Sequence, residues 1–126
     1  MSAEDILVID DEEDIAEAIR RILSKFGYHV ETSYSPENAL ERLGREHFDV
    51  VISDLIMPGG MSARDIYEWI KARLPALARR MILMTGATAG HRAEELLSDI
   101  ELPVIWKPFS VEELRNTVAG VVMLDA

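Results

Sequence analysis

Short apolar runs alternate with amphipathic repeats along the whole chain. Four runs are continuously apolar and lie at residues 6–9, 50–52, 81–84 and 104–106. Runs without in–out alternation are typical of strands that are buried on both faces of a parallel sheet. The segment from Tyr28 to Tyr34 is more polar and alternates, as an edge strand does. We therefore predict five strands, of which the second along the chain lies at an edge.

The intervals between these strands carry apolar residues at helical spacing. The five repeats cover residues 15–26, 39–43, 66–70, 93–100 and 114–121. Ser35-Pro36 and Ser110 are typical of helix N-termini, and Gly27 and Gly44 are typical of the residues that follow a helix C-terminus. This alternation predicts an α/β fold with helices on both faces of the sheet. The predicted architecture is flavodoxin-like: a doubly wound, five-stranded parallel sheet in the order 2-1-3-4-5, with five helices.

Composition limits the function. The 126 residues suit one domain over 1–126, and the absence of cysteine excludes disulfide scaffolds and thiol chemistry. The net charge of −10 argues against nucleic acid as a partner. No apolar run approaches the ~20 residues that span a bilayer, so we expect no membrane insertion and a cytoplasmic location. The three histidines are His29, His47 and His91, and none of them follows a central strand. We therefore expect them at surface or edge positions rather than as ligands.

Polar side chains follow four of the predicted strands. Asp10 and Asp11 follow the first strand, Asp54 the third, Thr85 the fourth and Lys107 the fifth. Parallel strands bring their carboxyl ends to one edge, where sites form near the point at which the strand order reverses. Each residue alone has an ordinary explanation, such as a cap or a turn. Polar residues at all four strand ends together indicate one shared site.

The residue types at this edge fit phosphoryl transfer. Three neighbouring carboxylates repel one another unless a cation lies among them, and a hard ion such as Mg²⁺ relieves the repulsion. One carboxylate would be the nucleophile, while the ion and the lysine offset the charge of the phosphoryl oxygens. Asp54 is the best candidate because it stands alone after a central strand. Asp10 and Asp11 form an adjacent pair that suits the metal.

These residues resemble the motifs of the receiver domains of two-component response regulators. The matching segments, in chain order, are ILVIDDEEDI, VVISDLIMPGG, MTG and WKPF, and the match covers essentially the whole chain. The loop at residues 58–61 and the Leu102-Pro103 pair are most similar to the C-terminal receivers of hybrid histidine kinases. The resemblance implies a signalling module that is not an enzyme, although it assists its own phosphorylation and dephosphorylation.

The resemblance also implies a role for each site residue. Asp54 would accept a phosphoryl group from a histidine kinase or a histidine phosphotransfer protein. The metal ligands for Mg²⁺ would be Asp11 directly, Asp10 mainly through water, Asp54, and the backbone carbonyl of Ile56. Thr85 and Lys107 would contact the phosphoryl group, and the Lys107–Pro108 peptide would be cis.

The expected output is a change in a protein-binding face. Phosphorylation would draw the threonine inward and alter the face formed by the fourth and fifth strands and the helices that follow them. The downstream partner is not identified by the sequence, and the domain would be a monomer or a weak dimer. Val104 stands where receivers usually carry the Tyr or Phe that swings inward, so the usual two-residue switch is not expected. Trp106 lies on the same side of that strand. We expect it to pack, and the alternative is that it takes part in signalling on this face.

Two further departures concern hydrolysis. Ile56 and Ala87 stand two residues after the acceptor and the threonine, at positions that often control dephosphorylation. Neither side chain can orient an attacking water, so we predict slow self-dephosphorylation.

Other functions fit the residues less well. An aspartyl phosphatase would need a second acid where Ile56 stands. A flavodoxin-like electron carrier would place an anionic cofactor phosphate beside the acidic loop after the first strand. The remaining alternative is a pseudo-receiver that acts as a phosphorylation-independent binding scaffold. The aliphatic residue at Val104 favours this alternative, and the complete set of site residues opposes it.

Overall fold

The computed structural model describes residues 3–86 and 90–124. The strands are β1 (Asp5–Ile9), β2 (His29–Ser33), β3 (Val50–Asp54), β4 (Met81–Gly86) and β5 (Val104–Lys107). The helices are α1 (Glu13–Lys25), α2 (Pro36–Leu43), α3 (Ala63–Arg73), α4 (Pro75–Ala78), α5 (Gly90–Leu97) and α6 (Val111–Val122). Among these described helices, none combines the length and the apolar character needed to cross a membrane.

The five strands form one parallel sheet in the order β2-β1-β3-β4-β5. The predicted architecture is therefore confirmed, and β2 lies at an edge as expected. The register aligns the carboxyl ends of neighbouring strands: Ile9 lies beside Ser53, Asp54 beside Met84, and Gly86 beside Lys107. The residues that end or follow these strands consequently share one edge of the sheet.

The sheet separates two apolar cores. Successive residues of a strand face opposite sides, so Ile6 and Val8 pack toward α1 and α6 while Leu7 and Ile9 pack toward the remaining helices. All four side chains are fully buried. Burial on both faces explains why the strands read as continuous apolar runs rather than as alternating patterns.

Side-chain caps begin three of the helices. Ser35 Oγ accepts a hydrogen bond from the Asn38 N–H at 3.1 Å, and Ser110 Oγ accepts one from the Glu113 N–H at 3.0 Å. At the start of α3, Asp65 accepts a hydrogen bond from the backbone N–H of Ser62 at 2.8 Å. These bonds satisfy N–H groups that a helix start otherwise leaves without partners.

The prediction of five helices was wrong by one. Helix α3 ends at Arg73, and Pro75 two residues later is the first residue of the four-residue helix α4. Proline suits this first position because the amide hydrogen that it lacks would have no partner there. Helix α4 buries Leu77 and Ala78 in the core, so one extra turn covers the sheet before β4 begins.

Helix α5 is anchored by few buried residues. Ala93 is its buried side chain. Hydrogen bonds from Arg64 of α3, called the Arg64 clamp below, supplement this contact. Arg64 Nη1 donates to the Leu96 carbonyl at 3.2 Å and to Asp99 Oδ1 at 2.6 Å. Arg64 Nη2 donates to Asp99 Oδ2 at 2.9 Å, so both carboxylate oxygens are engaged. Leu96, Leu97 and Ile100 are partly buried against the same core, so the polar contact adds to a modest apolar one.

Candidate functional site

The carboxyl edge of the sheet brings the predicted polar residues together. Asp54 and Lys107 are the last residues of β3 and β5, and Thr85 is the last but one of β4. Asp10 directly follows β1, and its backbone N–H donates to the Ser33 carbonyl at 3.1 Å. Asp10, Asp54 and Thr85 are all buried, although each is polar. Burial of polar groups is costly unless they are hydrogen-bonded, paired with opposite charge or bound to a metal.

Lys107 lies between two of the carboxylates. Its Nζ is 3.2 Å from Asp10 Oδ2 and 3.4 Å from Asp54 Oδ1. The other oxygen of Asp10 accepts a hydrogen bond from the Glu12 N–H at 2.9 Å, which fixes this fully buried carboxylate. The contact between Lys107 and Asp10 was not predicted. The sequence indicates which strand ends share an edge, but it carries no signal for which side chains touch.

The site holds more negative charge than its lysine offsets. Burial, followed by the nearby charge of Asp10, raises the pKa of Asp54 to about 6, and Lys107 only partly opposes this shift. Burial alone would lower the pKa of Lys107, but Asp54 and Asp10 outweigh it and raise the pKa above its usual value. The lysine is therefore charged at neutral pH, and further positive charge would be stabilised at this edge.

Thr85 carries a hydroxyl with no partner. Its side chain is 2% exposed, and Oγ1 makes no hydrogen bond within the part of the chain that the structure describes. Leaving a buried hydroxyl unpaired costs about 1–3 kcal/mol. A ligand oxygen that reached this edge would find an available donor in Thr85.

The acidic residues fit a hard divalent ion such as Mg²⁺. One carboxylate oxygen from each of Asp10, Asp11 and Asp54 lies within 4.8 Å of the other two, and Asp11 is the most exposed of the three. Within residues 3–86 and 90–124, no donor reaches the carbonyl oxygen of Ile56, two residues beyond Asp54. An all-oxygen donor set of carboxylates and a carbonyl is the kind that Mg²⁺ prefers.

The loop after β3 needs glycine to make its turn toward α3. Gly59 and Gly60 adopt φ angles of 97° and 86°, in the left-handed region that residues with a Cβ rarely occupy. Leu55, just before this loop, is fully buried, and its N–H donates to the Met84 carbonyl at 2.7 Å. The loop is thereby attached to the sheet directly beside Asp54.

The structure confirms some of the expectations for residues that differ from the receiver pattern or adjoin the site, and it contradicts one. Val104 is half-buried against the core that contains α5. The expectation that Trp106 packs was wrong, because the residue is 50% exposed at the edge strand β5. The Lys107–Pro108 peptide is cis, as the resemblance implied. Ile56 is partly buried, and Ala87 lies outside the described residues.

The amino-acid sequence also matches a known protein family. Residues 6–119 match the family described as the response regulator receiver domain. The chain belongs to this family. Receiver domains act in two-component signalling, so the signalling class inferred from the residues is confirmed.

Curated relatives of this receiver domain are response regulators. The chain is 34% identical over 114 residues to the response regulator protein FleR of Pseudomonas aeruginosa, covering 90% of this chain and 24% of FleR. It is 30% identical over 124 residues to PilR of the same organism, covering 98% of this chain and 27% of PilR. The receiver domain thus spans about a quarter of these relatives. The similarity to receivers of hybrid histidine kinases stays a prediction.

Solved structures agree with the receiver fold. A response regulator receiver domain protein from Clostridium thermocellum superposes with a TM-score of 0.81 at 30% identity, and 94% of each chain is covered. The chemotaxis protein CheY4 of Vibrio cholerae superposes with a TM-score of 0.81 at 23% identity, covering 95% of this chain and 99% of CheY4. At that identity, the second likeness concerns the fold alone.

Proposed function

We propose that this receiver domain accepts a phosphoryl group on Asp54 from a phosphohistidine of a histidine kinase or histidine phosphotransfer protein in the cytoplasm. The proposal rests above all on one observation. Asp54 lies at the carboxyl edge with Lys107 at 3.4 Å. At the end of the neighbouring strand lies the buried hydroxyl of Thr85, which has no hydrogen-bond partner among residues 3–86 and 90–124. A nucleophile, a cation and a free donor thus converge where the phosphoryl group would arrive.

The transfer forms one bond and breaks one. An oxygen of Asp54 attacks the phosphorus, and the P–N bond of the phosphohistidine breaks with its electron pair returning to the imidazole nitrogen. Lys107 would bind one phosphoryl oxygen and Thr85 would donate to another. Asp54 attacks only when deprotonated. Without a metal ion, burial and the charge of Asp10 raise its pKa to about 6, so bound Mg²⁺ would also help to keep this carboxylate ionised.

The metal set would lie beside the acceptor. Asp10, Asp11, Asp54 and the backbone carbonyl of Ile56 would hold Mg²⁺, because they present oxygen atoms only. When bound, Mg²⁺ supplies positive charge that offsets the phosphoryl oxygens during transfer. Asp10 also holds Lys107 at 3.2 Å, so this carboxylate would orient the lysine as well as contribute to the metal site.

The output would be a change in the face formed by β4, α5, β5 and α6. The free hydroxyl of Thr85 is the group that a phosphoryl oxygen would attract, and the loop after β4 leads directly into α5. Helix α5 fully buries one side chain, Ala93, and is otherwise held by partly buried leucines and the Arg64 contact, so we expect it to be displaced readily. Val104 has no ring to swing, so the loop and α5 would carry the signal to a protein partner. The domain would act as a monomer or a weak dimer.

Phosphorylated protein should be long-lived. Ile56 is partly buried and apolar, so it offers no group that could orient an attacking water beside the acceptor. We therefore propose slow self-dephosphorylation, which is measured as the decay of phosphoprotein after the donor is removed. A lifetime of seconds would contradict this part of the proposal.

The test is intact mass spectrometry after incubation with acetyl phosphate and Mg²⁺. The wild type is compared with Asp54→Asn and with the control Asp49→Asn, which alters an aspartate at the other end of β3. We expect one phosphate adduct in the wild type and in the control, and none in Asp54→Asn. The adduct should disappear when EDTA removes Mg²⁺.

Two outcomes would contradict the proposal. An adduct that persists in Asp54→Asn would show that another residue is the acceptor. Absence of an adduct in the wild type, with both acetyl phosphate and a phosphorylated histidine phosphotransfer protein as donors, would contradict the phosphoacceptor function itself.

A further inference from the structure

A second group of metal-ligating side chains lies at the opposite edge of the sheet. Asp5 and His29 are the first residues of β1 and β2 and are aligned in register. Asp49 directly precedes β3, and its backbone N–H donates to the Asp5 carbonyl at 2.7 Å. Asp5 and Asp10 are separated by a strand, or roughly 16 Å of extended chain. This group is therefore distinct from the proposed phosphoacceptor site.

His47 and Asp49 are held on either side of a buried anchor. Phe48 between them is 6% exposed and belongs to the core. His47 Nε2 lies 2.9 Å from Asp49 Oδ1. The other oxygen of Asp49 accepts a hydrogen bond from the Asp5 N–H at 2.8 Å, which leaves Oδ1 directed toward the imidazole. The backbone thus fixes one carboxylate oxygen and one imidazole nitrogen close together.

Asp5 completes a mixed set of ligands. One ligand atom from each of Asp5, His47 and Asp49 lies within 4.8 Å of the other two. An imidazole nitrogen with two carboxylate oxygens suits Zn²⁺ and similar transition-metal ions, whereas Mg²⁺ and Ca²⁺ prefer oxygen alone. His29 Nδ1 lies 2.8 Å from Asp5 Oδ1. Such an outer partner is common for ligands in metal sites, where it orients the ligating group.

We propose that Asp5, His47 and Asp49 form a binding site for a transition-metal dication such as Zn²⁺. The ion would join the amino ends of β1 and β3, which are connected there by two hydrogen bonds between Asp5 and Asp49. His47 lies at the surface, as the sequence predicts, with a side chain that is 76% exposed, so the proposed ion would bind at an accessible position. The signal in the sequence is the spacing of His47 and Asp49, but the contribution of Asp5 depends on the strand order.

The test is calorimetric titration with Zn²⁺ at pH 7.5, using a chain without a histidine tag and with excess Mg²⁺ for the all-oxygen site. The variant His47→Gln is compared with the matched control His91→Gln, because His91 is 88% exposed on α5. We expect one Zn²⁺ per chain in the wild type and in the control. Zn²⁺ should bind His47→Gln at least about tenfold more weakly, since even loss of an outer partner has an effect of this size.

A second variant guards against misfolding. Asp49→Asn retains an oxygen that accepts the Asp5 N–H but removes the charge, so it should fold and also bind Zn²⁺ more weakly. Equal Zn²⁺ affinity of His47→Gln and His91→Gln would overturn the proposal. Loss of Zn²⁺ binding in Asp54→Asn alone would also overturn it, because the ion would then occupy the carboxyl edge. No Zn²⁺ binding to the wild type would also overturn the proposal, and the contact between His47 and Asp49 would then be a hydrogen bond only.

Discussion

Replacing Asp54 by asparagine is expected to stabilise the protein when divalent ions are absent, although it removes the proposed acceptor. Burial and the charge of Asp10 raise the pKa of Asp54 from 3.8 to about 6. Between these values the folded protein binds the proton more tightly than the unfolded chain does. The free energy of unfolding of the wild type therefore falls as pH rises through this window. Asparagine carries no charge and avoids this loss.

The structure sets the size of the effect. The difference between a pKa of 3.8 and one of about 6 corresponds to about 3 kcal/mol once the pH lies well above both values. Asp54 is 8% exposed, so solvent screening is small. We expect Asp54→Asn to be more stable than the wild type by up to about 3 kcal/mol at pH 7.5, and by only about 1 kcal/mol at pH 4.5.

The assay is urea unfolding in EDTA at four pH values from 4.5 to 7.5, followed by the fluorescence of Trp69 and Trp106. The control is Glu101→Gln, which removes one exposed carboxylate that makes no ion pair within the described residues. Adding Mg²⁺ should then stabilise the wild type much more than Asp54→Asn, because only the wild type keeps all three carboxylates.

Two results would refute this reasoning. The first is an Asp54→Asn variant that is no more stable than the wild type at pH 7.5 in EDTA, which would mean that burial and charge do not disfavour the ionised carboxylate. The second is a stability difference between the two proteins that stays constant from pH 4.5 to 7.5. It would then arise from something other than the titration of Asp54.

Other substitutions test separate parts of the structure. Thr85→Val keeps the side-chain volume and removes the unpaired hydroxyl, so it should raise the free energy of unfolding by about 1 kcal/mol and shorten the lifetime of the phosphorylated form. Arg64→Gln should break the clamp to Asp99, which hydrogen exchange would detect as faster exchange of amides 93–97 with unchanged exchange in α1. Ile52→Ala opens a cavity in a fully buried strand and should cost about 2–5 kcal/mol in urea unfolding.

Much of the fold could be predicted from local patterns. The continuous apolar runs reflect burial on both faces of the sheet, and the signals at Ser35, Ser110 and Gly27 lie at observed helix ends. Helix α4 escaped prediction because Pro75, two residues after the end of α3, begins another helix. Four residues are too few to produce a helical repeat in the sequence, so this element depends on the burial of Leu77 in the folded core.

The sequence predicts which residues share the carboxyl edge of the sheet, but it does not predict which of their side chains touch. Asp54, Thr85 and Lys107 could be assigned to one edge because parallel strands end there. The ion pair between Lys107 and Asp10 depends on side-chain reach across β3, which strand order alone does not specify. The exposure of Trp106 was mispredicted for a related reason: β5 is an edge strand, and nothing in a sequence pattern shows how far a neighbouring helix covers it.

The sheet divides the apolar core into two clusters, and this division affects which substitutions the domain can accept during evolution. The two apolar clusters share no side chain, so substitutions beneath α1 and α6 should be tolerated independently of those beneath α2 to α5. A lineage could remodel one face to recognise a new partner while the other face keeps the chain folded. Only the strands belong to both halves, and Asp54 and Lys107 end two of them. The proposed phosphoacceptor site therefore lies on the sheet itself, where substitutions on either face can affect it.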